Sequence, residues 1–196
     1  MTGHMAAALN PGITPIWTVT VAQYHAMIDR GILTSDDAVE LLEGIIVQKV
    51  SKNPPHRIAT FITREALRRL VPLGWYVDEQ EPITLDKSEP EPDVAVIRGD
   101  TRDYMMRHPG PSDIALVVEI AEATLDRDRI LKRRIYATAE IPFYWVMDLN
   151  SRRLEVFSDP KDGTYRLHAV CQEHERVSVV LDGTSVGSIL VSDLLP

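Results

Sequence analysis

Two carboxylates and one amine in this chain have the types and order needed for metal-assisted hydrolysis. Asp93 begins the apolar segment DVAVI, Glu119 lies within the apolar run ALVVEIA, and Lys132 follows on the helix predicted to leave that run. A carboxylate inside an apolar run is costly to bury unless a cation meets it. Paired hard oxygen ligands suit Mg²⁺ or Mn²⁺, which keep several waters and accept phosphate oxygens from a substrate.

Each of these residues also has a purely structural interpretation. Asp93 follows a proline at a strand start, where an aspartate commonly accepts hydrogen bonds from nearby backbone amides. Glu119 could lie on the wet face of an edge strand, and Lys132 could form an exposed ion pair with Asp128, four residues before it. His56, at a predicted helix start, is a common type of capping or surface residue. Considered one at a time, these residues leave both interpretations open.

Three helices are predicted around these residues. Thr20 and Gln23 match a capping box that begins a short helix ending near Gly31. Apolar residues at helical spacing predict a second helix from about His56 to Leu70 and a third in TLDRDRILKRRIYATAE. The residues expected to face inward are Ile58, Phe61, Ile62, Ala66 and Leu70 on the second helix and Ile130, Leu131, Ile135 and Ala139 on the third.

The strand-like segments predict one sheet. AVELLEGIIVQKV favours two strands joined by a tight hairpin at Glu43 and Gly44. WYVDEQEPITL, DVAVI and IALVVEIA predict three more strands, and FYWVMDL, after a crossover helix, should lie parallel to an earlier one. RLEVFS, YRLHAVC, RVSVVL and SILVSDLL add antiparallel strands at the C-terminus. We expect one α/β domain over residues 17–196, with a mixed central sheet flanked by helices, after a disordered tail of residues 1–16.

Composition limits the function classes. With 29 acidic and 21 basic residues, the formal net charge of −8 argues against a protein that coats nucleic acid. An enzyme with a local basic rim is not excluded, and the helix DRDRILKRR with Arg64 or Arg68 is a candidate for it. Glu89 and Glu91 are expected to form a solvated lead-in to Asp93. A lone cysteine and the lack of an apolar run near the roughly 20 residues that cross a bilayer favour a cytoplasmic protein without membrane contact.

The order of several segments resembles a known family. VELLEGIIVQ, PPHRIA, EPDVAVI, LVVEIAEATLDRDRILKRRIYATAEIPFYWVMDL and RLEVF are similar to the bacterial Uma-type "putative restriction endonuclease" family of the PD-(D/E)XK nuclease superfamily. The resemblance covers about Val19 to the C-terminus. It implies a restriction endonuclease-like core in which Asp93 and Glu119 bind Mg²⁺ or Mn²⁺ and Lys132 assists catalysis.

The resemblance also matches three second-tier candidates: Glu43 and His56 for metal or water contacts, and Tyr136 for packing one turn beyond the lysine. The chain departs from the superfamily pattern at Ala121, where many members have the catalytic lysine; Lys132 would replace it from the helix. Glu122 stands in a stretch that is often serine-rich in the family. It would either repel a phosphate or provide another metal ligand.

The expected activity is metal-dependent endonucleolytic hydrolysis of phosphodiester bonds in nucleic acid, with DNA as the expected substrate. The alternative is a catalytically inactive module that uses the nuclease fold for DNA binding or assembly. A metal-independent hydrolase with two carboxylates is disfavoured, since no sugar-stacking aromatic cluster accompanies the acids. Edge strands in the tail could pair two subunits, and a homodimer would suit double-strand cutting.

Overall fold

The N-terminal part of the fold supplies two helices and a hairpin. The computed structural model describes residues 16–196, so the expectation of a disordered tail falls almost entirely outside the described range. Helix α1 (Val21–Asp29) has the predicted capping box at Thr20. Strands β1 (Val39–Leu42) and β2 (Ile45–Gln48) form the predicted hairpin, but as a two-stranded sheet of their own, so the expectation of one sheet is wrong for them. Helix α2 (Pro54–Arg68) follows. In the described residues, no helix is long and apolar enough to cross a membrane.

A six-stranded mixed sheet forms the centre of the molecule. In spatial order its strands are β3 (Trp75–Asp78), β4 (Val94–Arg98), β5 (Ile114–Ala121), β6 (Phe143–Asp148), β7 (Arg153–Lys161) and β8 (Thr164–Gln172). Strands β5 and β6 pair in parallel, as predicted for a strand after a crossover helix, and the other neighbours pair antiparallel. The predicted α/β class with a mixed central sheet is confirmed.

The C-terminal strands divide into two groups. The predicted strands RLEVFS and YRLHAVC join the central sheet as β7 and β8. The last two, β9 (Arg176–Leu181) and β10 (Thr184–Leu190), pair with each other in a separate two-stranded sheet, so the expectation that they extend the central sheet is wrong. They cover one face of the central sheet instead, where Val177, Val179 and Ile189 join the core beside Val118 and Trp145.

The crossover between β5 and β6 is one continuous helical segment with an irregular middle. It comprises α3 (Leu125–Arg127), a π-helical turn (Asp128–Lys132) and α4 (Arg133–Thr138). A π turn forms hydrogen bonds between residues five apart in the sequence. The positions that face inward there no longer follow the 3.6-residue spacing of an α-helix. Ile130, predicted to face inward, is 65% exposed, whereas Asp128 and Lys132 are 1% and 3% exposed.

Helix α2 also presents a different face from the one predicted. Ile58 and Phe61, both expected inside, are exposed, while Ala59, Thr63 and Leu67 are buried. The buried face of this helix carries mainly small residues, which allow its backbone to lie close against β3, β4 and β5. The larger apolar side chains are consequently directed to solvent.

The β1–β2 turn yields a stability prediction with an internal control. Glu43 and Gly44 have φ values of 48° and 78°, and a Cβ on Gly44 would lie 2.7 Å from the Thr18 Cβ. Gly183 has a similar φ of 74° with nothing within 4 Å of an added Cβ. We expect Gly183→Ala to cost about 1 kcal/mol from backbone strain alone, and Gly44→Ala to cost about 1–3 kcal/mol more because of overpacking.

The measurement is the free energy of unfolding from urea titrations of both variants and the parent. Equal losses in the two variants would contradict the close packing of Thr18 against this turn.

Candidate active site

The two predicted carboxylates are cross-strand neighbours at one end of the sheet. Val94 of β4 lies opposite Val118 of β5, so Asp93 and Glu119 are the next residues toward that end. The Asp93 Oδ2 accepts a hydrogen bond from the Ile120 amide at 2.8 Å. Every residue of β5 is buried, because core residues cover both faces of the sheet. Glu119 therefore does not lie on a solvent-exposed strand face, and the interpretation of Glu119 as an edge-strand residue is wrong.

Lys132 reaches Glu119 from the crossover helix, as predicted. Its Nζ donates to the Glu119 Oε1 at 2.9 Å, and the Tyr136 hydroxyl donates to the same oxygen at 2.7 Å. All three side chains are buried. The π turn produces this arrangement by directing Lys132 inward. Lys132 is thus not part of an exposed ion pair with Asp128, and Tyr136 hydrogen-bonds the acid in addition to packing.

A further acid, Glu40 on β1, was not among the candidates. It is buried, and its Oε2 lies 3.3 Å from the Lys132 Nζ and accepts a hydrogen bond from the Glu91 amide at 3.3 Å. The signal was present in the sequence: Glu40 is a carboxylate inside the apolar run AVELL, the same criterion that identified Glu119. Glu43, the candidate on this hairpin, lies at the turn and pairs with Arg134 instead.

His56 lies at the first turn of α2, where the Asn53 side chain caps the helix. Its Nε2 is 3.1 Å from the Asp93 Oδ2, and the neighbouring Thr60 hydroxyl is 3.4 Å from its Nδ1. His56 therefore belongs to the site through Asp93. The interpretation of His56 as a capping residue is wrong, because the cap is Asn53, whose side-chain oxygen accepts a hydrogen bond from the His56 amide.

These side chains line a cleft of about 90 Å³. One wall is the loop between β2 and α2, and the other is the loop that follows β5. Glu122 lies on this second wall and accepts a hydrogen bond from the Asn53 side chain, so it faces the rim of the cleft. The residues lining the cleft that have polar or charged side chains include Glu40, Lys49, Lys52, Asn53, His56, Glu91, Asp93, Glu119, Glu122, Thr124, Arg127 and Lys132.

The lead-in before Asp93 is only partly solvated. Glu89 is buried, and its carboxylate meets His25 at 2.6 Å and the Thr84 hydroxyl at 2.7 Å. Glu91 is half-buried and pairs with Lys49 at 2.7 Å. The expectation for Glu89 is therefore wrong, because the lead-in bridges to β1 and packs under α1 instead of lying in water. These contacts fix the approach of the chain to Asp93.

Carboxyl groups outnumber cations at the centre of the site. Burial raises the pKa of Glu119 to about 8; Lys132 opposes this shift, and Asp128, Asp93 and Glu40 add to it. Burial alone would lower the pKa of Lys132, but Glu119, Glu40 and Asp128 together raise it above its usual value. The Lys132 amine therefore stays protonated, and its single positive charge does not balance the negative charges of the surrounding carboxylates. The site favours an additional proton or cation.

Asp128 contributes to this excess from the start of the π turn. Burial raises the pKa of its carboxyl, with Lys132 and the Thr124 hydroxyl opposing the shift. The Asp128 Oδ2 accepts from that hydroxyl at 2.5 Å, while the buried Oδ1 has no hydrogen-bond partner among the described residues.

The donor set fits a hard divalent cation. Within residues 16–196, no three His, Cys, Asp or Glu side chains are already arranged to hold a metal ion. Mg²⁺ does not require such a cage, because it is commonly bound by one or two carboxylates with water and substrate phosphate as the other ligands. Asp93 and Glu119 supply two carboxylates, and both hydrogen bonds that Glu119 accepts reach Oε1. Its Oε2 remains available to a ligand.

The six-stranded mixed sheet and the crossover between β5 and β6 match the fold of a solved protein described as a nuclease. The chain is similar to a solved structure described as "a putative nuclease belonging to DUF820 from Anabaena variabilis ATCC 29413", with a TM-score of 0.68 and 16% identity. The superposition covers 90% of this chain and 97% of that one. At this identity the likeness establishes the fold.

The family follows from the sequence match. Residues 21–187 match the model of the Uma2 family, described as "Putative restriction endonuclease". This protein belongs to the Uma2 family, which confirms the resemblance identified from its segments. No match is found among curated proteins.

The pKa of Glu119 provides a direct test of the site in metal-free protein. We expect its side-chain carboxyl to titrate near pH 8, because burial disfavours the anion. Since its pKa is higher in the folded than in the unfolded state, the free energy of unfolding should fall as pH rises from about 4.5 to about 8. Glu119→Gln, which does not titrate, should lack this component of the fall.

The measurements are the ¹³C shift of the Glu119 carboxyl carbon against pH and urea titrations of both proteins. Titration near the ordinary value of 4.5 would contradict the buried, acid-rich environment.

Glu40 and Glu43 test which carboxylates influence the pKa of Glu119. Glu40→Gln removes a negative charge beside Lys132, so we expect the Glu119 titration to move to lower pH. Glu43→Gln removes the same charge from the exposed turn and should leave that titration unchanged. The same ¹³C titration checks both variants, and equal shifts would exclude Glu40 from the charge cluster.

Proposed function

We propose that this protein is a metal-dependent endonuclease that hydrolyses phosphodiester bonds of DNA. The observation that carries the proposal is the meeting of Asp93, Glu119 and the Lys132 ammonium in one cleft, from two adjacent strands and the crossover helix. Membership of the Uma2 family and the nuclease fold support the same reaction class. Both acids and the lysine are the residue types that phosphodiester hydrolysis requires at one centre.

Asp93 and Glu119 would hold Mg²⁺ or Mn²⁺, whose charge lowers the pKa of a bound water and stabilises charge on the phosphate. The Ile120 amide and His56 orient the Asp93 carboxylate through its Oδ2. The Tyr136 hydroxyl orients Glu119 through its Oε1. These hydrogen bonds hold the two acids in one conformation before any ligand arrives, which reduces the cost of ordering them on binding.

Lys132 is the group that acts on the reacting atoms. Its ammonium is positioned by carboxylates on two sides, Glu119 at 2.9 Å and Glu40 at 3.3 Å. A protonated amine held in this way orients the attacking water or neutralises the negative charge that develops on the phosphate oxygens. Water attacks phosphorus and releases one proton, the bond to the leaving oxygen breaks, and that oxygen takes up a proton. Glu40 is a positioning residue in this scheme, because it contacts Lys132 and not the substrate.

The alternative is a nuclease-fold module that binds DNA or assembles without catalysis. Two observations favour it: the ammonium is already held by two carboxylates, and no group of three metal-ligating side chains exists in the part of the chain that the structure describes. Calorimetry separates the two functions. A catalytic site should bind Mn²⁺, with binding lost in Asp93→Asn, whereas an inactive module should show no binding at millimolar Mn²⁺. A homodimer and a cytoplasmic location stay predictions.

Removal of either acid should abolish activity without unfolding the protein. We expect Asp93→Asn and Glu119→Gln to reduce Mg²⁺- or Mn²⁺-dependent cleavage of supercoiled plasmid by about 100-fold or more, because each removes a charged ligand. Glu43→Gln is the matched control. This variant should retain parental activity, because the Glu43 carboxylate lies outside the cleft.

Circular dichroism establishes that the variants remain folded. Cleavage by both acid variants at the parental rate would refute the site. Cleavage by the parent in excess EDTA would refute the metal requirement.

A further inference from the structure

Positive charge is concentrated in one segment beside the cleft. Residues 49–69 hold six of the 21 lysines and arginines and only one of the 29 acids, Glu65. The segment therefore carries a net charge of +5 within a chain of net charge −8. It comprises the loop that forms one wall of the cleft and all of α2. Such a local field attracts polyanions even when the protein as a whole is acidic.

The solvent face of α2 arranges part of this charge in a row. Arg57, Phe61, Arg64 and Arg68 recur at spacings of four, three and four residues, which places them on one stripe of a helix. Phe61 and Arg68 are more than half exposed, and the Arg64 guanidinium lies 5.6 Å from the centre of the Phe61 ring. At 1.5 Å per residue, the stripe is about 16 Å long.

The stripe begins at the reactive centre. His56, the residue before Arg57, is 3.1 Å from the Asp93 carboxylate, and Lys52 lines the cleft itself. A chain of phosphates that places one group beside Asp93 would thus meet Arg57 next and could follow α2 outward. At about 3.4 Å of duplex rise per phosphate of one strand, the stripe matches about five phosphates.

Lys52 and Arg57 are freer of carboxylates than most cations of the crossover helix, the other predicted rim. In the crossover helix, Arg129, Lys132 and Arg134 all pair with carboxylates of the chain itself. Lys52 and Arg57 form no ion pair with any residue in the range 16–196 that the structure describes.

Arg64 and Arg68 share a partner, Glu65, at 2.9 and 3.1 Å. The Arg64 guanidinium also lies 3.4 Å from the Glu79 carboxylate, and its side chain is 26% exposed. Ion pairs near the solvent surface are weak, so the two guanidinium groups remain available to a stronger anion.

We propose that the solvent face of α2, together with Lys52, binds the DNA backbone flanking the phosphate that is cleaved. The proposal rests on the proposed function for its choice of polyanion. Phosphate oxygens are bound by the guanidinium groups of the stripe, and Phe61 holds Arg64 in place by a cation–π contact. Binding on this face is electrostatic and independent of base sequence.

The experiment compares two charge-matched double variants. Arg57→Gln/Arg68→Gln removes two charges from the stripe, and Lys87→Gln/Lys161→Gln removes two from exposed positions, one in the loop before β4 and one on β7. The affinity for a fluorescein-labelled DNA duplex is measured by anisotropy between 50 and 200 mM NaCl, with Ca²⁺ in place of Mg²⁺ to limit turnover. Circular dichroism verifies the fold of each variant.

For the stripe variant we expect an affinity about fivefold or more below that of the parent. The slope of log affinity against log salt should be smaller by about 1.8, since each phosphate contact contributes about 0.9. The control variant should keep the parental slope. A parental slope in the stripe variant, an equal loss in the control, or no duplex binding by the parent would overturn the proposal.

Plasmid cleavage separates this proposal from the proposed function. A protein that cuts plasmid in Mg²⁺ but binds duplex independently of Arg57 and Arg68 remains a nuclease and lacks this surface. A protein that binds through the stripe but cuts nothing keeps the surface and is not a nuclease.

Discussion

The site depends on one buried ammonium among several carboxylates. Lys132 pairs with Glu119 and Glu40, and its charge opposes the burial-driven rise in the pKa of both Glu119 and Asp128. Burial of an unpaired charge is strongly unfavourable, whereas a buried charge with good hydrogen bonds is tolerated. The lysine thereby joins three separate parts of the chain: the N-terminal hairpin, the central sheet and the crossover helix.

The rest of the fold serves to bring those parts together. The antiparallel register of β4 and β5 places Asp93 beside Glu119, and the tight turn at Gly44 holds β1 where Glu40 reaches the lysine. The parallel pairing of β5 with β6 requires a crossover, whose π turn directs Lys132 inward. The resulting excess of acid is a cost to the metal-free protein that a divalent cation would relieve. The residues of the proposed metal site therefore also set part of the stability of the fold.

The acidic chain and its basic helix have complementary roles in the proposed activity. Negative charge gathered in the cleft suits a cation and would repel a bare phosphate. The positive segment that begins at the cleft wall offers DNA a binding surface outside the acidic centre. A polyanion held along α2 would present one phosphate to the acids only when a divalent cation offsets their charge. In the proposed activity, the distribution of charge thus separates the binding of substrate from the reaction at the centre.

The sequence by itself determined the α/β class and the hairpin at Gly44, because strand periodicity and turn chemistry are local signals. The family followed from the order of several segments taken together, and the meeting of Asp93, Glu119 and Lys132 followed from their combination and from that resemblance, since each residue alone also had a structural interpretation. Only the tertiary structure decided that Glu40 and not Glu43 reaches the lysine, since Glu40 lies on the covered strand β1 whereas Glu43 lies at the turn and pairs with Arg134. Tertiary packing likewise exposed Ile130, because the π turn changes the helical phase, and exposed Phe61, because the small residues of α2 pack closely on the sheet. Neither effect is visible in a 3.6-residue pattern, which assumes a regular helix and an apolar buried face.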